Sequence, residues 1–294
     1  MKARPLIPVA HRLAPGHSFF SVSRRRLSLA ARILALLVPL DFAAAAGAES
    51  AAQPNYFDRT VYVHTEVLPN RPYADDRKTD THSASGFFVE HQGHYLFVTA
   101  KHVALETTPD TEFCFLTPAG DSHYARLVGL VADTTHPWHM HPGTDLAIFP
   151  VTFSSKLEKG ITEEIRALAI PFSALSSNEV IRASRVTVCG FPIELGTWKK
   201  ISPLAMTAYV ASREMEVPME GGSTSMFLIT PAIGAGCSGG PVFSTTDRGE
   251  AEAVLGIYVS TYFDSSGGKL SSVVPARQIA ELITEVVGDR KEKP

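Results

Sequence analysis

From residue 57 onward the chain is a succession of short runs rich in β-branched and aromatic residues, cut at close intervals by Gly, Pro, Ser and Asp. The run TVYVHTEV (60–67) alternates, and SGFFVE and YLFVTA flank HQGH in the pattern of a hairpin. DLAIFPV, RVTVCGF, MTAYVAS, MFLIT, PVFS and AVLGIYVS follow, each bounded by turn formers. Such punctuation leaves no room for long helices, so the chain reads as all-β, a barrel or a sandwich. A helix is expected only at the C-terminus. Pro275 suits a first helical position, Ile279, Leu282, Ile283 and Val286 share one face, and Gly288 can end it. A weaker helical pattern, ITEEIRALAI (161–170), lies between the two strand-rich halves.

The first fifty of the 294 residues differ from the rest. Up to Leu40 there is no acidic residue, while Lys2, Arg4, Arg12, Arg24, Arg25, Arg26 and Arg32 are basic. The apolar run ILALLVPL (33–40) and the small residues Ala46, Gly47 and Ala48 follow, the parts of an export signal. SRRRLSL (23–29) also matches a twin-arginine signal. The expectation is an exported protein, periplasmic or secreted, with the leader at 1–48 and a linker at 49–56. The apolar run is too short to span a bilayer, so no membrane insertion of the mature chain is expected. Without the seven basic residues and Asp41, 20 basic and 29 acidic side chains remain, a formal net charge of −9. A nucleic-acid partner is therefore not expected, because phosphate binding needs a basic face. Three cysteines, Cys114, Cys189 and Cys237, are too few for a disulfide framework.

The stretch GAGCSGGPVF (234–243) places two nucleophile types, Cys237 and Ser238, side by side among glycines. Glycines on both sides allow a tight turn in which the Ser238 hydroxyl stands clear and backbone N–H groups converge, as acyl transfer requires. An incidental serine in a Gly-rich turn fits the same letters. All eleven histidines lie at or before His141, so no base follows the serine in the chain. That excludes the α/β-hydrolase order and the papain order. Upstream, LFVTAKHVA puts His102 just after an apolar strand, and HPGTDLAIFPV puts Asp145 at the start of another. A carboxylate there can orient an imidazole and stabilise its charged form.

Taken together, SASGFFVEHQGHYLFVTAKHVA, GTDLAIFPV and GAGCSGGPVF stand in the order His, Asp, Ser and resemble the trypsin/chymotrypsin superfamily. The resemblance is closer to its bacterial trypsin-like branch, which includes HtrA-type proteases. RVTVCGFPIELG, LGIYVS and SSVVPARQIAELI look like that branch's later strands and closing helix. The resemblance implies two six-stranded antiparallel β-barrels, at 57–153 and 178–274, joined by a connection at 154–177. A C-terminal helix at 275–288 and a tail at 289–294 complete the chain. It further implies a serine endopeptidase acting on peptide or protein substrates without a cofactor. His102, Asp145 and Ser238 would be its triad, and the N–H groups of Gly236 and Ser238 its oxyanion hole.

The sequence also departs from that pattern. Cys237 stands where the family usually has Asp or Asn, so it cannot make the ion pair that receives a freed N-terminus in zymogen-activated members. No I-V-G-G-like start is present, no cysteine lies beside His102, and no PDZ domain is expected after the helix. Ala232 occupies the position that sets primary specificity, with Tyr258, Val259, Ser260 and Thr261 along the pocket wall. The expected P1 residue is small or apolar. His136, His139 and His141 form a His-rich run, but a Pro-flanked loop is a poor metal site, and none is expected. Cys237, one residue out of register for a nucleophile, is expected to be a small packing residue. The alternative reading is a trypsin-fold binding or scaffold protein that does not cleave.

Overall fold

The computed structural model describes residues 56–67, 80–153, 157, 160–219, 222–246 and 248–291. The expected leader at 1–48, most of the linker at 49–56 and the end of the tail lie outside them. The first sheet comprises β1 (Thr60–Val67), β2 (Asp80–His91), β3 (His94–Thr99), β4 (Glu112–Leu116), β5 (Ser122–Arg126), β6 (His139–Met140) and β7 (Ala147–Pro150). Their order is β5-β4-β1-β2-β3-β7-β6, and β8 (Ile170–Pro171) adds a short parallel pairing to β2. The second sheet comprises β9 (Arg185–Gly190), β10 (Leu204–Val210), β11 (Met215–Met219), β12 (Gly222–Thr230), β13 (Pro241–Thr245), β14 (Ala251–Phe263) and β15 (Lys269–Pro275). Its order is β10-β9-β13-β14-β15-β12-β11, and β10 also pairs with β12. Six of its strands therefore close into a ring, with β11 appended as one arm of a hairpin. The first sheet exceeds the expected six strands by the two-residue β6 and β8.

The HQGH hairpin forms as its residues require. Gln92 and Gly93 both take positive φ, 52° and 81°, which gives a two-residue turn whose twist matches the strands. It sets the register Phe88 opposite Phe97 and Val89 opposite Leu96. Phe97 meets Phe113 edge-on at 4.8 Å and Phe149 at 5.3 Å, and Trp138 closes on Phe149 at 4.8 Å. This aromatic centre does not end at the sheet's border. Its apolar cluster continues into Phe243, Val254 and Ile257 of the second sheet. A separate cluster of Val186, Val188, Phe227, Ile229, Val242 and Val273 fills the ring.

Among the described residues there are four α-helices: α1 (Lys101–Leu105), α2 (Leu127–Leu130), α3 (Ile161–Leu168) and α4 (Ala276–Lys291). The ITEEIRALAI pattern is α3, with Ile161, Ile165 and Leu168 buried. The C-terminal helix corrects the sequence boundaries, since Pro275 ends β15 and the helix runs through Gly288 to Lys291. Glycine stops a helix by adopting a left-handed conformation, and Gly288 is not among the positive-φ glycines. Val286 and Val287, 4% and 3% exposed, keep the final turns docked against the core. That burial, worth about 1.5–3 kcal/mol per side chain, outweighs the roughly 1 kcal/mol propensity cost of an internal glycine. No helix among the described residues is long and apolar enough to cross a membrane.

Candidate active site

Position 102 is carried by α1, which begins as soon as β3 ends, with Ala100 still extended at φ −73° and ψ 146°. The buried Leu146 and the four buried residues of β7 fix Asp145 in the adjoining loop. β3 and β7 are antiparallel neighbours, so the end of one and the start of the other meet. His102 Nδ1 lies 2.7 Å from Asp145 Oδ2, and the His102 backbone N–H donates to Asp145 Oδ1 at 2.9 Å. One carboxylate thus holds both the ring and the main chain of the same histidine. An ionised carboxylate only accepts, so Nδ1 carries the proton and Nε2 is left as an acceptor.

Burial pushes the His102 pKa down, but the hydrogen bond and charge of Asp145, with Glu106 adding to them, raise it above the ordinary 6.5. For Asp145, burial pushes upward, while the hydrogen bond and charge of His102 and the backbone donors of His102 and Lys101 bring the net value below 3.8. The two side chains are 45% and 29% exposed. His102 borders two hollows. One, of about 70 Å³, is shared with Ser238, Ser83, His82 and Glu106, with His82 Nδ1 2.7 Å from Glu106 Oε2. The other, of about 300 Å³, is lined by Asp145, Thr144, Thr224, Met226, Val259 and Ser260 among others.

Ser238 sits in a loop whose two neighbouring glycines are both obligatory. Gly236 (φ 96°) would place a Cβ 2.3 Å from the Phe191 carbonyl oxygen. Gly239 (φ 83°) would place one 2.1 Å from Thr99 Oγ1. Only glycine meets both the left-handed angle and the close approach. The N–H groups of Gly236 and Ser238 donate to no described residue. Ser238 Oγ donates to the Val259 carbonyl at 3.4 Å, and no hydrogen bond joins it to the His102 ring. That carbonyl is available because β14 bulges there, pairing Tyr258 with Val273 and Ser260 with Ser272 and leaving Val259 between them.

The expected pocket-wall residues divide. Val259 and Ser260 line the larger hollow. Tyr258, 3% exposed, belongs to the second core cluster instead. Its hydroxyl and Thr261 Oγ1 are 2.9 Å apart, and both bond the Ile233 carbonyl, so they anchor the segment after the partly exposed Ala232. Cys237 is fully buried within that cluster, and burial pushes its thiol up to about 12. A thiol so placed supplies no thiolate near neutral pH. Cys114 and Cys189 are likewise free thiols, and burial raises both. Among the described residues no group of three His, Cys, Asp or Glu is placed to hold a metal ion.

Sequence reasoning passed over Thr144, Thr224 and Met226 on the larger hollow, and Ser85 beneath the serine loop. The hollow's residues come from strands far apart in sequence and carry no shared motif. Ser85 did carry a signal: the small run SASG (83–86), with a glycine inside a strand, marks a close backbone approach.

A trypsin-like peptidase domain model matches residues 84–257. Among solved structures, the MamO protease domain from Magnetospirillum magneticum aligns with a TM-score of 0.50 at 16% identity, covering 78% of this chain and 97% of that one. The HtrA-type protease AlgW, solved with a tripeptide, also aligns at 0.50 and 16% identity, over 80% of this chain and 64% of its own. At such identity the likeness is one of fold. No curated protein matches the chain in sequence.

Proposed function

The chain belongs to the trypsin-like peptidase family, and from that premise we propose that it is a serine endopeptidase with His102 as base, Asp145 as its orienter and Ser238 as nucleophile. The observation that carries the reading is the double grip of Asp145 on His102, beside Ser238 on one cleft. His102 Nε2 takes the Ser238 proton as Oγ attacks the substrate carbonyl, and returns it to the leaving amine. Asp145 fixes the tautomer and stabilises the imidazolium. The free N–H groups of Gly236 and Ser238 receive the oxyanion, and losing one such donor costs about 3–4 kcal/mol of transition-state stabilisation. The substrates are peptides or proteins. No carboxylate stands at Ala232, which favours a small or apolar P1 residue.

A fluorophosphonate probe is expected to label the wild type and Cys237→Ala but not Ser238→Ala; the reverse pattern removes Ser238 from the reading. Cleavage profiling of a peptide library with wild type and Ser238→Ala then reads activity and P1 preference together. One observation favours a second reading, a binding or scaffold protein of the same fold. The Ser238 hydroxyl is bonded to the Val259 carbonyl and not to His102. A folded protein that takes up no stoichiometric label supports that reading. Catalytic hydrogen bonds are often long or misaligned before substrate binds, so the first reading stands ahead.

A further inference from the structure

An oxyanion hole consists of backbone N–H groups, so whatever orients the peptide planes of residues 235–239 controls it. Every carbonyl from Ala235 to Ser238 has a donor. Ile193 N–H donates to Ala235 O at 2.7 Å, and Gly240 N–H donates to Cys237 O at 2.8 Å. Ser85 Oγ donates to Gly236 O at 2.8 Å, and Ser85 N–H donates to Ser238 O at 2.9 Å. A trans peptide points its N–H opposite its carbonyl. The grip of Ile193 on Ala235 therefore turns the Gly236 N–H away from the 191–194 segment, and the loop's own Gly240 turns the Ser238 N–H to the side opposite itself. Ser85 holds the peptide that lies between those two and the one that follows them.

The Ser85 hydroxyl also accepts the Phe191 N–H at 3.3 Å. Phe191 opens the segment whose Ile193 N–H grips Ala235, and Ile193 sits at φ 47° and ψ 37°, a strained conformation for a β-branched residue. One fully buried hydroxyl thus joins three pieces: β2, the 191–194 turn and the serine loop. Thr99 Oγ1 in turn fixes the Ser85 carbonyl at 2.8 Å. Cys237 offers no carboxylate with which an ion pair could hold this loop, so the fold needs another brace.

We propose that Ser85 is a positioning residue for the oxyanion hole, its hydroxyl and its N–H together holding the 235–239 peptides in the competent orientation. The inference rests on the reading of Ser238 as nucleophile, and its test separates the two. In the full chain, Ser85→Ala removes the hydroxyl and leaves Gly236 O and Phe191 N–H without it. The rate of fluorophosphonate labelling at saturating probe is expected to fall roughly 10- to 100-fold, with the half-saturating concentration changed less than about twofold. Amide exchange at Phe191, Ile193 and Gly240 is expected to quicken, while the β3 and β7 amides keep their protection. Ser85→Thr, which restores a hydroxyl, is expected to recover most of both.

Wild-type labelling and exchange in Ser85→Ala overturn the proposal. So does a loss of protection spread evenly through the core, which marks Ser85 as merely structural. If the wild type takes no label, the reading of Ser238 fails and the exchange measurement alone decides whether Ser85 positions the loop. Should Ser85→Ala not fold, Thr99→Val takes its place. Faster exchange in the loop with slower labelling supports the proposal, and unchanged values for both overturn it.

Discussion

At the scale of single residues, the proposed base is set by opposing forces whose balance fixes its pH behaviour. Burial lowers the His102 pKa, and Asp145 more than reverses this, leaving it above 6.5. The neutral imidazole that can accept a proton thus accumulates only as pH rises through that raised value, and kcat/KM should rise along the same limb. Asp145→Asn removes the charge and leaves burial dominant. The acid limb is then expected below pH 6.5 in a pH–rate profile, with kcat lower by roughly 10³–10⁴. Stability carries the same linkage with the opposite sign. A raised histidine stabilises the fold fully below 6.5 and loses that contribution as pH rises through the folded value, while the lowered Asp145 contributes above 3.8 and loses it on acidification through its own folded value. The Tm advantage of wild type over Asp145→Asn should therefore be widest between those limits and shrink in alkali.

At the scale of elements, what the site requires is the meeting of strand ends. The β2–β3 hairpin is legible in sequence because Gln92–Gly93 and the flanking alternation fix its turn and register locally. The pairing of β3 with β7 brings His102 to Asp145 across 43 positions, and no local signal specifies it. Helix α4 illustrates the same limit. Its apolar face was readable from Ile279, Leu282, Ile283 and Val286, but its end was not. Whether a glycine stops a helix depends on whether the following turns have something to pack against. α4 lies against β3, β14 and β15, so it serves both sheets. Ile283→Ala, at a fully buried position, is expected to cost about 2–5 kcal/mol in urea denaturation. A cost below 1 kcal/mol would show that the helix is docked only loosely.

At the scale of the whole molecule, the apolar cluster is continuous across the two sheets and α4. Neither sheet can lose its packing without exposing part of the other's. Unfolding is therefore expected as one cooperative transition. Trp138 reports on it from the aromatic centre, since Trp198 is 84% exposed and changes little. Coincident urea curves from tryptophan emission and far-UV circular dichroism check this, and separated midpoints would show two independent units.

The sequence by itself determined the all-β class, the candidate chemical residues in their order, and the exclusion of arrangements with histidine after the nucleophile. Those follow from local pattern and chain order, which need no folding to be read. Only the tertiary structure decided that Tyr258 supports the core instead of lining the larger hollow, and that Ser85 lies beneath the serine loop. Each depends on which strand faces which, a property of long-range pairing that no short stretch of residues encodes.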